Sequence, residues 1–202
     1  MWRGAFKNLP RYATGSLAAA LSLYFVYAER ADIPIFAASI FFLLICIVDT
    51  FSSRIPNIAT LLLLLTGFSY HLYSTGASGL LFSILGMLTG LSLLLLPYLM
   101  GGMGAGDVKA MAALGALLGS ATIFQVFLYT GLIGGLLALF HYALSQNLKE
   151  KCLEWATAIK AFVYTKSFTS LKSTNASEPL RFPYAAAIAF GFFAWVNWGN
   201  LL

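Results

Sequence analysis

The sequence predicts an all-α, polytopic integral membrane protein with about six transmembrane helices and a cytoplasmic amphipathic helix. Of its 202 residues, 60% are hydrophobic and 9% are charged, whereas roughly a quarter of the residues in a soluble domain are charged. The mean hydropathy is +0.84. At ~20 residues per membrane-spanning helix, this length accommodates about six spans with their loops and leaves no room for a separate soluble domain.

Long uncharged stretches mark the predicted spans. Residues 55–106 carry no formal charge, and the turn-rich "STGASG" at 74–79 divides them into two helices. Residues 110–148 are also uncharged, and "GS" at 119–120 divides them into a short helix and a full one. The sequence thus predicts a single transmembrane domain over 1–202, with spans at about 12–28, 33–48, 57–73, 80–99, 108–119 (short) plus 121–144, and 183–202, and with a cytoplasmic loop at 145–182.

The distribution of positive charge predicts the orientation of these spans. With a cytoplasmic N-terminus, eleven of the twelve lysines and arginines lie inside and only Arg30 lies outside, as the positive-inside rule requires. We therefore expect a multi-pass protein of the cytoplasmic (inner) membrane. The N-terminal segment is also compatible with a cleaved signal peptide, which would leave this orientation unchanged.

Residues 148–168 carry apolar side chains at helical spacing, with lysines on the opposite side. This pattern predicts an amphipathic helix on the cytoplasmic side. It lies either on the membrane surface or against the protein's own loops, and the pattern does not separate the two.

Several functional classes are disfavoured. The net charge of +5 follows membrane topology, so we expect no nucleic-acid partner. Cys46 and Cys152 are too few for a zinc site or a disulfide framework. His71 and His141 are isolated, and no phosphate-binding or dinucleotide-binding motif is present. We therefore expect no metal and no cofactor, with the lipid bilayer as a partner and the oligomeric state open.

Asp49 and Asp107 stand out among the seven acidic residues because each adjoins apolar sequence. Asp49 ends the run "IPIFAASIFFLLICIV", where the helix dipole and the membrane boundary both disfavour a carboxylate. A functional role is one interpretation. The other is that Asp49 begins the turn "DTFSSR" through an Asx-type hydrogen bond.

Asp107 precedes the apolar helix "VKAMAALGALLG" and could serve only as its N-cap. That role does not explain "GGMGAG" at 101–106, which has four glycines in six residues. Glycine permits positive φ and leaves backbone amides accessible, and irregular backbone at the membrane edge needs protein or water beside it. We therefore expect a hydrated cavity here that an extended peptide can approach.

The two aspartates are 58 residues apart, yet the topology predicts the same depth and the same cytoplasmic side for both. Two neighbouring carboxylates share a proton, because one pKa rises when both cannot ionise. The ionised acid can then activate water while the protonated acid polarises a peptide carbonyl. This is the chemistry of aspartic proteases. Lys109 either moderates the local charge, contacts substrate or is an ordinary inside-facing cation.

At this point the sequence resembles the prepilin peptidases, also called type IV leader peptidases. The resemblance rests on "DTFSSRIPN" (Asp49 to Asn57) and on "GAGDVK" (Gly104 to Lys109), with further similarity in "AALGALLG" at 112–119 and "RFPYAAAIAFG" at 181–191. It covers most of the chain from about residue 35 onward.

The resemblance implies a membrane-embedded aspartic endopeptidase that removes the basic leader from prepilins or pseudopilins at the cytoplasmic face of the membrane. The chain lacks the segment with paired cysteines that bifunctional members carry, so it resembles the short, peptidase-only form that serves Flp-type pili, and we expect no methyltransferase activity. The implied catalytic residues are Asp49 and Asp107. Residues expected to bind substrate or shape the loop are Gly102, Gly104, Gly106 and Lys109, and the structural motif residues are Ile55, Pro56, Asn57 and Pro183.

Two alternatives stay open. A protease of the presenilin or signal-peptide-peptidase kind also uses Gly-x-Gly-Asp, but here Val48 replaces the tyrosine that precedes the first acid in those families, and "FPY" occupies the late motif position. A small, non-enzymatic transporter could use its acids for protons or cations, but that function gives no reason for Ile-Pro-Asn at this spacing.

Overall fold

The computed structural model describes residues 2–52, 55–100, 103–144 and 184–201, and within these ranges the regular secondary structure is helical throughout. The helices, numbered in chain order, are α1 (Trp2–Ala28), α2 (Ile33–Ser52), α3 (Asn57–Thr75), α4 (Ala77–Leu99), α5 (Ala105–Leu118), α6 (Ser120–Leu144) and α7 (Tyr184–Trp198). The predicted all-α class is therefore confirmed. The amphipathic helix predicted at 148–168 and the loop at 145–182 lie outside the described residues.

Among the described residues, four helical stretches are long and apolar enough to cross a membrane: Ile33–Ser52, Asn57–Thr75, Ala77–Leu99 and Ser120–Leu139. Tyr12–Ala28 and Tyr184–Trp198 are shorter apolar helices. The protein is thus a multi-pass membrane protein, while the total of about six spans stays a prediction.

Within the described part of the chain, six helices surround α5. Each of the six contacts the next one in the order α1, α2, α3, α4, α6 and α7, and α7 contacts α1, which closes the ring. The central helix, α5, contacts five of these six. Every residue from Ala110 to Leu118 is buried. Since "AMAALGALL" has no polar side chain on any face, this helix can pack against other helices on all sides without burying an unpaired polar group.

Glycines let α4 approach α5 closely. A methyl group added at Gly86 would lie 2.0 Å from the carbonyl oxygen of Gly115, and one added at Gly90 would lie 2.3 Å from that of Met111. Small residues at such positions allow helix backbones to pack directly against each other in a membrane. This packing fixes the position of α5 along the bundle.

Two glycines with positive φ separate consecutive helices. Gly76 (φ 68°) lies between α3 and α4, and Gly119 (φ 83°) lies between α5 and α6. Both fall inside the breaks predicted at 74–79 and 119–120. Glycine occupies this backbone region without the steric cost that a Cβ imposes, so the chain reverses sharply at both points.

Several helix boundaries differ from the predicted spans. α1 begins at Trp2 rather than near residue 12, and α5 begins at Ala105 rather than at 108. α2 continues to Ser52, so Asp49 lies in its last turn. An uncharged stretch marks where lipid can surround a helix, whereas backbone hydrogen bonding continues past that limit into charged sequence.

Candidate active site

The connector between α2 and α3 meets the first turn of α5. The connector is short, since α2 ends at Ser52 and α3 begins at Asn57. Pro56 caps α3 with extended backbone (φ −63°, ψ 128°), and its carbonyl accepts hydrogen bonds from the amides of Ala59 and Thr60. Proline suits this position because it has no amide hydrogen to leave unpaired.

Two contacts join the connector region to α5. A methyl group added at Gly106 would lie 3.1 Å from Cβ of Ile55, so the Gly106 backbone packs directly against that side chain. Lys109 Nζ donates a hydrogen bond to Asn57 Oδ1 at 3.0 Å. Residues of the two separate sequence motifs therefore touch each other in the folded protein.

Asp107 occupies the third position of α5, not its N-cap. Gly104 is the N-cap, and its amide donates a hydrogen bond to Asp107 Oδ2 at 3.2 Å. In return, the Asp107 amide donates to the Gly104 carbonyl at 3.1 Å. The interpretation of Asp107 as an N-cap is therefore wrong in detail, because the helix begins three residues earlier than predicted.

The surroundings of Asp107 disfavour its charge. Asp107 is half-buried. Its helix, α5, has 14 residues and is shorter than the four described helices that are long enough to span a membrane. Burial raises the pKa of Asp107 to about 6 and the negative charge of Asp49 raises it further, although the Gly104 amide acts in the opposite direction. Asp49 is thus close enough to Asp107 to act on it electrostatically.

Asp49 reaches this site from the last turn of α2. It is half-buried, beside the buried Thr50, whose hydroxyl donates to the Cys46 carbonyl. A methyl group added at Gly15 of α1 would collide with the Thr50 hydroxyl, so α1 packs tightly against this part of α2. Because the helix continues to Ser52, Asp49 does not begin the turn "DTFSSR", and that interpretation is wrong.

The glycines of the predicted loop act through their size. Gly104 has φ −84° and Gly106 is helical, and neither is among the positive-φ glycines of the described chain. Neither glycine therefore uses the positive φ that this residue type permits. Gly106 instead leaves room for Ile55, as any side chain would press against it.

The structure thus brings together most of the residues that the sequence singled out: Asp49, Ile55, Pro56, Asn57, Gly104, Gly106, Asp107 and Lys109. Gly102 and Pro183 lie outside the described residues. The sequence did not predict the Ile55–Gly106 contact or the Lys109–Asn57 hydrogen bond, because spacing within each motif says nothing of their register against each other.

Two other features lie apart from this site. A shallow surface hollow on α1, lined by Ala20, Leu23, Tyr24, Val26, Tyr27 and Arg30, includes neither aspartate. His71 Nε2 donates to the Leu117 carbonyl at 2.9 Å, ten residues further along α5 than Asp107, or about 15 Å at 1.5 Å per residue. Among the described residues, no three histidine, cysteine, aspartate or glutamate side chains form a potential metal site.

One comparison with known proteins identifies a family for this chain. The model of the type IV leader peptidase family matches residues 36–139, which is 104 of the 202 residues and includes both aspartates. No curated protein and no solved structure matches the chain. Since the matched region covers just over half of the sequence, the chain belongs to the type IV leader peptidase family.

Proposed function

We propose that this membrane peptidase is an aspartic endopeptidase with Asp49 and Asp107 as its catalytic pair. Membership of the leader peptidase family makes it a peptidase. The observation that carries the proposal is the contact between the two motif segments, where Lys109 donates to Asn57 at 3.0 Å and Gly106 packs against Ile55. The influence of the Asp49 charge on the pKa of Asp107 supports it.

The two acids take different roles. With its pKa raised to about 6, Asp107 holds a proton to higher pH than an ordinary aspartic acid does, which suits the group that donates to the scissile carbonyl oxygen. Asp49, ionised, accepts a proton from the attacking water. The tetrahedral intermediate then collapses, and the new amine leaves with a proton from the pair.

The substrate is a prepilin or pseudopilin, and a Flp-type prepilin is the best one to use in an assay. Its basic leader approaches the α2–α3 connector and the first turn of α5 from the cytoplasm, while its apolar helix lies in the inner membrane beside the enzyme. The predicted orientation, with eleven cations inside, supports this side of the membrane. The peptidase acts without methylating the new N-terminus.

Co-expression with a candidate Flp-type prepilin tests the proposal by the gel shift that accompanies leader removal. Asp49→Asn and Asp107→Asn each abolish the shift while the protein remains inserted, because either change removes one of two groups that act together. Asp32→Asn is the matched control. Asp32 is exposed and caps α2 by accepting from the Ile35 amide at 3.1 Å, a role that asparagine also fills.

Each other outcome has a defined meaning. Retained cleavage in either catalytic variant refutes the two-aspartate mechanism. Cleavage within the substrate's apolar helix instead of at its inner boundary indicates an intramembrane protease of the presenilin kind. Absence of proteolysis together with acid-dependent flux in liposomes indicates a transporter.

A further inference from the structure

Asn57 and Lys109 hold the two acid-bearing segments in register, and we propose that they are positioning residues for the catalytic pair. This inference rests on the proposed function. In this role Lys109 neither contacts the substrate nor balances the charge of the aspartates. Asn57 positions the catalytic pair in addition to beginning α3.

The position of Asp49 depends on the connector that follows it. Asp49 lies three residues before the end of α2, and Asn57 opens α3 eight residues further along the chain. Helices α2 and α3 also pack against each other, so a displacement of the start of α3 shifts the last turn of α2. Holding Asn57 in place restrains the helix end that carries Asp49.

On α5, the two contact residues bracket Asp107. Gly106 and Lys109 are three residues apart, so they lie on one face of the helix, and this face meets Ile55 and Asn57. Asp107 is rotated by about 100° from Gly106, away from the contact face. The contacts thus fix both the height and the rotation of the turn that presents the carboxylate.

The bond partner of Lys109 distinguishes positioning from charge balance. Its ammonium group donates to a neutral amide oxygen, Asn57 Oδ1. The pKa of Asp107 is governed by burial, by the Gly104 amide and by Asp49. Because both Asn57 and Lys109 are exposed, breaking their bond leaves no buried group unpaired, and the fold survives the test.

Shape-matched variants of the full-length protein separate the roles. Asn57→Leu and Lys109→Met keep the side-chain bulk but remove the bond, and each lowers kcat for leader cleavage roughly tenfold, as loss of one charge-assisted hydrogen bond implies. KM stays within about twofold, because substrate binding does not depend on this register. The double variant is no slower than the slower single variant.

Conservative variants of the same two residues keep the hydrogen bond and therefore retain activity. Asn57→Asp keeps an acceptor and Lys109→Arg keeps a donor, so both retain at least about half of the wild-type kcat. Asn200→Ala is the matched control, because it removes another exposed side-chain hydrogen bond, from Trp195 Nε1 at 3.2 Å. It lies just past α7, outside the motif segments, and leaves kcat unchanged.

Any one of the following results overturns the inference. A raised KM with unchanged kcat in Lys109→Met shows that Lys109 binds substrate. Additive losses in the double variant, or failure of both conservative variants, show that the two residues act separately. Inactive Asp49→Asn together with fully active Asn57→Leu and Lys109→Met refutes the positioning role while leaving the two-aspartate mechanism intact, whereas active Asp49→Asn refutes that mechanism itself.

Discussion

The carboxyl group of Asp107 lowers the stability of the folded protein when it is ionised, because it is buried. Its pKa is raised from 3.8 to about 6 by burial and by Asp49. A carboxylic acid with a raised pKa favours the folded state when protonated, so its contribution is present below pH 4 and is lost as the pH rises through about 6. A residue retained against this penalty is a candidate for chemistry.

This penalty gives a pH-dependent prediction for Asp107→Asn. The variant melts at a higher temperature than wild type at pH 7.5, because the unfavourable carboxylate is gone, and the raised pKa corresponds to about 3 kcal/mol. The difference between the two proteins shrinks from pH 6 to pH 4. Melting curves in detergent across this range measure it, with Asn200→Ala, which changes no titratable group, as the control.

A lower melting temperature for Asp107→Asn at pH 7.5 contradicts this account. It would mean that the hydrogen bond from the Gly104 amide to the Asp107 carboxylate stabilises the fold more than burial of the charge destabilises it. Asp107 would then be chiefly a structural part of the first turn of α5. The cleavage assay and the melting curves therefore test separate properties of the same carboxylate.

At the scale of elements, the packing of α4 on α5 determines where the first turn of α5 lies. Gly86 and Gly90 allow the backbones of the two helices to touch Gly115 and Met111. Any side chain at these positions separates the helices. Since α5 carries Asp107, such a separation also displaces the site.

Gly86→Ala tests this packing. The added methyl group would lie 2.0 Å from the Gly115 carbonyl oxygen, so we expect destabilisation of about 1–3 kcal/mol and reduced cleavage. Gly135→Ala in α6 is the matched control, since nothing lies within 4 Å of its added methyl group, and alanine favours a helix over glycine. Equal melting temperatures for the two variants would show that α4 and α5 do not require this contact.

The helices in the described part of the chain form a ring around α5, with Asp107 in the first turn of this central helix. The distribution of cations predicts that this first turn faces the cytoplasm, and the proposed cleavage of a cytoplasmic leader requires it.

Cysteine labelling checks the orientation. In a Cys152→Ser background, Tyr73→Cys, near the end of α3, reacts with a membrane-impermeant maleimide added outside intact cells. Phe51→Cys, near Asp49, reacts only after permeabilisation. Both native side chains are highly exposed, at 96% and 77%, and native Cys46 is buried. The reverse pattern would place the site outside and exclude the proposed substrate encounter.

The sequence by itself determined the all-helical membrane class, the breaks at Gly76 and Gly119, and the two aspartates as the residues to examine. These follow from local physics: the cost of charge in lipid, the backbone freedom of glycine, and acids placed against local preference. Only the tertiary structure decided that α5 is the central helix, that Asp107 lies inside its first turn, and that Asn57 bonds to Lys109. Such features depend on which helix faces pack together, and that choice is made by shape complementarity between distant segments, which no pattern within a single segment records.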